Sequence, residues 1–288
     1  IYKVTIVGSV VNLFLVGFKL LAGFLGHSSA MIADAVHSIS DLVTDFVVLL
    51  FVRIAGRPED NDHAYGHGKY ETLAGVIVGV LLGIVGLGLL ADGIMNTVAF
   101  YQGASIEAPN WWALSAAIIS ILLKESLFRY TMHYGKRLDS PALKANGWHH
   151  RSDAFTSVAA MVGIAGAMLL GPSWRVLDPL AAAVVSLFII NSSWGLVKSG
   201  IEELLEKSLP DDELAAITDI ISSVPGVESF HKLRTRRIGT GRAIEMHIKM
   251  DPDISLRKAH DIASEIEKNL HDHFGQQTHV GVHMEPTD

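Results

Sequence analysis

The sequence predicts an all-helical membrane domain of six spans over residues 1–206, followed by a small α+β domain over 207–288. Three observations carry that prediction. The 288 residues are 49% hydrophobic and only 18% charged, with a positive mean hydropathy that soluble globular chains of this size seldom reach. Apolar runs of about 20 residues, long enough to cross a hydrocarbon core, recur at 4–25, 29–54, 72–100, 111–131, 154–171 and 176–197. Past residue 206, near "LLEKSLPDDE", hydropathy falls and charge rises, as expected of a separate soluble unit of about 80 residues.

The connections between the runs set their orientation. Arg53, Arg57 and Lys69 follow the second run, and Arg129, Lys136, Arg137 and Lys144 follow the fourth. The other three connections, "GHSSA", "YQGASIEAPN" and "GPSWR", hold Arg175 alone. Basic loops stay on the cytoplasmic side, so both termini and the tail are expected there. The chain starts at Ile1 rather than Met, from which a preceding segment is expected. It has no cysteine, which excludes disulfides and thiolate metal sites. A formal net charge of -7 gives no support to nucleic-acid binding.

Charge inside the second run needs a reason, because each ionisable group at mid-bilayer costs at least about 2.5–3.5 kcal/mol. "HSISDLVTD" sets His37, Asp41 and Asp45 four residues apart, one line along a helix, and Asp34 extends that line toward the outer end. At the fifth run, "ANGWHHRSD" repeats the spacing with His149 and Asp153, while His150 points about 100° away toward the interface or a neighbouring helix. Two antiparallel helices carrying His-x-x-x-Asp can turn two imidazoles and two carboxylates to one point. That set suits Zn²⁺ in a tetrahedron and leaves harder divalent ions possible. The same groups could instead line a water-filled vestibule or pair with one another. Asp45 and Asp34 could each be an approach ligand, a proton carrier or a solvated group near a helix end.

In the loop after the second run, "EDNDHAYGHGKYE" spaces Asp60, His63 and His67 so that a turn through Gly66 and Gly68 can bring them round one ion. The tail opens with a helix whose first turn is acidic, "PDDELAAITDIISSV", and turns at Pro225-Gly226. A hairpin follows, turned at Gly239 to Gly241. In "AIEMHIKM" the apolar Ile244, Met246, Ile248 and Met250 alternate with Glu245, His247 and Lys249. A helix at about 255–273 and a last strand, "THVGVHME", complete the order α-β-β-α-β. Half of the 14 histidines lie in this tail. His247, His283 and Glu285 are expected to share the solvent face of the sheet, as a second metal centre or as exposed groups without a role.

With these motifs in place the sequence resembles the cation diffusion facilitator family over nearly its whole length: six spans, His37/Asp41, "HAYGHGKYE", His149/Asp153 and a tail containing "RTRR". The resemblance implies a ferredoxin-like cytoplasmic domain and a multi-pass homodimer in a bacterial inner membrane. It further implies export of divalent metal, Zn²⁺ foremost, from the cytoplasm in exchange for H⁺. It makes His37, Asp41, His149 and Asp153 the transport site and Asp60, His63 and His67 a loop site; Asp45 is expected as an accessory group from its place on the helix line, not from the resemblance. It makes His231, His247, His260, His283 and Glu285 the tail cluster, where zinc would be structural or regulatory. Lys69 and Glu206 become a charge pair holding protomers together at the membrane surface. Some bacterial members have Asp where His37 stands, Asp45 is commonly uncharged, and Met284 and Glu285 replace other residues of the tail cluster. Fe²⁺, Cd²⁺ and Mn²⁺ are the alternative cargoes. A passive divalent-cation channel is the alternative mechanism, its flux indifferent to a pH gradient. A membrane metalloenzyme would need a general base beside an open metal position, and no such signature is visible.

Overall fold

The computed structural model describes residues 2–55, 57, 59–138 and 140–287, apart from the side chains of 2, 3, 5, 44–50, 52–55, 141, 142 and 145. Six long helices come first: α1 (Tyr2–Leu25), α2 (Ser29–Ala55), α3 (Lys69–Tyr101), α4 (Trp111–Arg137), α5 (Pro141–Leu169) and, after one 3-10 turn, α6 (Leu177–Leu204). The tail follows as α7 (Asp211–Ser223), β1 (Ser229–Ile238), β2 (Gly241–Met250), α8 (Leu256–Phe274) and β3 (Thr278–Pro286). Among the described residues, α1, α3, α4, α5 and α6 contain stretches long and apolar enough to cross a membrane. The remaining long helix, α2, has 27 residues, about 40 Å of rise, and carries Asp34, His37 and Asp41. The chain divides into two compact units, Ile1–Phe46 with Val78–Gly195 and Val47–Ile77 with Leu196–Asp288.

In the first unit the buried surface is built largely of alanine: Ala22, Ala30, Ala33, Ala113, Ala116, Ala117 and Ala160, with Met31, Ile164 and Val185 among them. Lipid tails are as apolar as leucine, so helices in a bilayer gain little from hiding large side chains and associate where small residues let backbones close up. Gly93 and Gly163 show this directly. A Cβ on Gly93 would lie 2.8 Å from the Pro179 carbonyl oxygen, and one on Gly163 would lie 2.2 Å from the Ala181 Cβ.

Side chains at the helix ends fix where the polar residues fall. Ser28 caps α2 by accepting the Met31 N–H at 3.0 Å, and Asp178 of α6 accepts from the Ser28 hydroxyl and, at 2.7 Å, from the Ser29 N–H. Helix α5 begins at Pro141, well before the apolar run at 154, because Ser140 caps it and Pro141 needs no N–H partner in the first turn. His149 and Asp153 therefore sit two to three turns inside a helix rather than at its start. Arg129, Lys136, Arg137 and Lys144 likewise lie on α4 and α5 rather than in a free loop.

The second unit contains a three-stranded sheet in the order β1-β2-β3, with β1 antiparallel and β3 parallel to β2. Ile244, Met246, Ile248 and Met250 of β2 are all buried, against Ile217 and Ile221 of α7 and Ile262, Ile266 and Leu270 of α8. Both helices cover one sheet face, so the alternate residues of the strands stand on the other.

Candidate metal sites

On the facing sides of α2 and α5, His37, Asp41 and Asp153 each offer a ligand atom, and these atoms all lie within 4.8 Å of one another. His37 and Asp153 are buried and Asp41 is half-buried. Among the described residues, two of their polar atoms, His37 Nδ1 and Asp41 Oδ2, are shut away from solvent without a hydrogen-bond partner. Unmet buried donors and acceptors cost about 1–3 kcal/mol each, and a bound cation would answer an imidazole nitrogen and a carboxylate oxygen together. His149 stands at the rim: its Nδ1 lies 3.7 Å from Asp153 Oδ1 and its side chain is 51% exposed. Along this face of α5 exposure falls from His149 to Asp153 at 3% and Ser157 at 0%. The Asp45 side chain, the expected accessory group, lies outside the described residues.

Two lysines complete the surroundings, and neither was singled out in the sequence. Lys124 of α4, 1% exposed, holds Asp153 Oδ2 at 2.7 Å. Lys19 of α1, fully buried, holds Asp34 Oδ2 at 2.7 Å and donates to the Ser38 and Ser157 hydroxyls at 3.0 Å each. Asp34 also accepts from Thr156 and Ser157. The signal was present: a lysine in the middle of an apolar run is costly and marks a partner. His150 does face a neighbouring helix. It is buried, neither ring nitrogen has a hydrogen-bond partner among the described residues, and its Nε2 would lie 3.5 Å from a Cβ placed on Gly8 of α1.

In the second unit, the ligand atoms of Asp60, His63 and His67 lie within 4.8 Å of one another. Gly66, at φ 73°, makes the turn that brings His67 back over His63, ring centroids 4.3 Å apart. The Asp60 carboxylate accepts the N–H groups of His63 and Asp62 at 2.8 and 3.0 Å, and the His63 N–H above all holds its pKa below the ordinary range.

The sheet aligns the tail histidines by register: His231 of β1 opposes His247 of β2, which opposes His283 of β3. A bulge between His231 and Arg234, with Lys232 at φ 52°, follows the first of them. Glu285, one pleat beyond His283, reaches His247 Nδ1 at 2.7 Å and His231 Nε2 at 3.2 Å, while His283 Nε2 lies 3.6 Å away. The hydrogen bond from His247 is the main reason the Glu285 carboxyl titrates below its usual value. His260, expected in this cluster, is exposed on α8 and does not join the group formed by His231, His247 and Glu285 among the described residues. Lys69, the first residue of α3, pairs with Glu206 of the same chain, and Glu206 also accepts from Arg236 at 2.8 Å.

Comparison with known proteins decides the family. Residues 5–205 match the cation efflux transmembrane domain and residues 209–287 the cation efflux protein cytoplasmic domain. The chain belongs to the cation diffusion facilitator family. Relatives within it include the manganese efflux system protein MneP of Bacillus subtilis, 33% identical over 99% of this chain and 95% of that protein. Metal tolerance protein C1 of Arabidopsis thaliana is 35% identical over 93% of this chain and 59% of its own length. The cation-efflux pump FieF of Pectobacterium atrosepticum is 31% identical over 96% and 89%. Among solved structures, CzrB aligns with 28% of this chain and 100% of its own at 26% identity and a TM-score of 0.27. The MamM CTD aligns with 27% and 100% at 22% identity and 0.26. As a cation diffusion facilitator, the chain is a multi-pass membrane protein that moves metal cations out of a compartment, and that activity is transport rather than chemistry on a substrate.

Proposed function

We propose that the protein exports a divalent transition-metal ion from the cytoplasm in exchange for protons, with His37, Asp41, His149 and Asp153 as the transport site. The observation that carries this reading is the inner group of one imidazole and two carboxylates, two of whose buried polar atoms have no hydrogen-bond partner among the described residues. Metal binding requires neutral imidazole and ionised carboxylate, so protons and metal compete for the same four side chains. A cavity that opens to each side in turn then couples the two flows without a separate proton path. Protons arriving from the acidic side displace the ion, and the next ion displaces the protons. Exposure that falls from His149 to Ser157 fits the form of such a carrier open at the His149 end.

Zn²⁺ is the first choice of cargo, since two imidazoles and two carboxylates make a tetrahedral nitrogen and oxygen set. Mn²⁺ is a second reading with its own support: the inner group is oxygen-rich, His149 stands off at the rim, and MneP is a manganese efflux protein. The charge pair Lys69 and Glu206 and the tail group of His231, His247, His283 and Glu285 are assigned to dimer formation and its regulation by metal, and Asp60, His63 and His67 to a loop ion. Both termini are placed in the cytoplasm on the basic residues flanking α2, α4 and α5. The test is uptake into proteoliposomes with Zn²⁺, Mn²⁺, Fe²⁺ and Cd²⁺ in competition under an imposed pH difference. Flux that rises when the receiving side is acidified, with alkalinisation of that side, supports exchange. Flux that follows only the metal gradient at every pH difference replaces it with a channel.

A further inference from the structure

Lys124 is a charged side chain within contact distance of the proposed transport site, and the transport chemistry above makes no use of it. Its ammonium lies 2.7 Å from Asp153 Oδ2, with lysine and aspartate 1% and 3% exposed. Asp153 in turn supplies one of the atoms that converge with His37 and Asp41. Two carboxylates against one ammonium leave a single net negative charge where a divalent ion is to sit. Resting on the transport-site reading, we propose that Lys124 is a tethered counter-cation of that site. It neutralises Asp153 when metal is absent, and it opposes the ion when metal is present.

The physical consequence is a site tuned for release. In surroundings of low dielectric an ammonium next to a ligand carboxylate repels an incoming divalent ion and withholds one oxygen of Asp153 from it. Metal therefore binds less tightly than the same ligands would hold it without the lysine, and it leaves sooner. An efflux carrier needs that property, because an ion held too strongly limits turnover by its own departure. When the ion has gone, the ammonium keeps Asp153 from being a bare buried charge, so the empty site can close.

The experiment is Zn²⁺ uptake by the full-length protein in proteoliposomes, with KM and kcat read separately for wild type, Lys124→Gln and Lys124→Arg. Lys124→Gln should lower KM about tenfold or more and lower kcat with it, the mark of tight binding and slow release, and Lys124→Arg should restore both toward wild type. An unchanged or raised KM in Lys124→Gln overturns the proposal. Should Lys124→Gln be recovered unfolded in chelator, Zn²⁺ must restore its folding, because the ion then supplies the charge that the ammonium supplied; failure to do so also overturns it. Asp41→Asn, run alongside, separates the two readings, since wild-type flux in that variant would remove the transport site itself.

Discussion

Two lysine–aspartate pairs lie buried in the same helical unit at the same 2.7 Å separation, yet their surroundings differ in kind. Around Lys19 and Asp34 everything is answered: Ser38 and Ser157 accept from the lysine, and Thr156 and Ser157 donate to the aspartate. Around Lys124 and Asp153 the account stays open. Asp153 Oδ1 lies 3.7 Å from His149 Nδ1, and among the described residues neighbouring His37 and Asp41 each keep a buried atom without a hydrogen-bond partner. A closed network of buried charge serves as a fixed joint, here tying α1, α2 and α5 together. An open one is a place for something else to bind.

The largest expected effect comes from breaking the closed joint. Asp34→Ala would strand the Lys19 ammonium in the interior, at roughly 3–5 kcal/mol, and should yield little folded protein in a detergent thermal melt. Replacing both partners together, Lys19→Met with Asp34→Leu, should recover much of that stability. The corresponding double change at Lys124 and Asp153 should recover folding but no transport. If the Lys19 double variant stays as unstable as Asp34→Ala, the joint is not what holds these helices.

Next in size is stabilisation by the ion itself. Binding only to the folded state raises stability by about 2.7 kcal/mol at a hundred times Kd. Zn²⁺ or Mn²⁺ should raise the unfolding midpoint of wild type and leave that of Asp41→Asn nearly unmoved. Ser157→Ala, which removes a partner from both Lys19 and Asp34, should cost about 1–3 kcal/mol and leave the metal response intact. A lost metal response in Ser157→Ala would mean that the two pairs are not separable.

The smallest expected effect lies in the tail. Glu285 is held below its ordinary value of 4.5, chiefly by the His247 hydrogen bond. Its contribution to stability is therefore present above about pH 4.5 and fades as pH falls through the lower folded value. In chelated protein, Glu285→Gln should flatten the acid limb of the midpoint-against-pH curve and leave the neutral range little changed. An acid limb identical to that of wild type would show that Glu285 and His247 are not paired in solution.

Much of this was legible in the sequence. The alternation Ile244, Met246, Ile248, Met250 gave the buried face of β2 because a strand's period leaves no choice, and the four-residue spacing of His37/Asp41 and His149/Asp153 gave two helix faces that do carry the inner group and its rim. The start of α5 was not legible from hydropathy, since Ser140 and Pro141 set it through capping while the apolar run begins at 154. Nor was the separation of His149 from the inner three, which depends on how far the helices approach and not on spacing along either. Lys19 and Lys124 were in plain view in apolar runs, but their partners lie on other helices, 15 and 29 residues away. His260 failed to join the tail cluster because it belongs to α8, on the face opposite the three strand positions that register aligns.

The most direct test of the transport site uses Asp41 rather than Asp153. Asp153→Ala would leave Lys124 buried without its partner, confounding lost transport with lost folding. Among the described residues Asp41 Oδ2 has no hydrogen-bond partner to strand, so Asp41→Asn removes charge from the site and little else. In reconstituted vesicles with an imposed pH difference, the account predicts a normally folded Asp41→Asn protein whose metal uptake falls below roughly a tenth of wild type, with the accompanying proton movement lost in parallel. Uptake and proton movement at wild-type levels in that variant would contradict it.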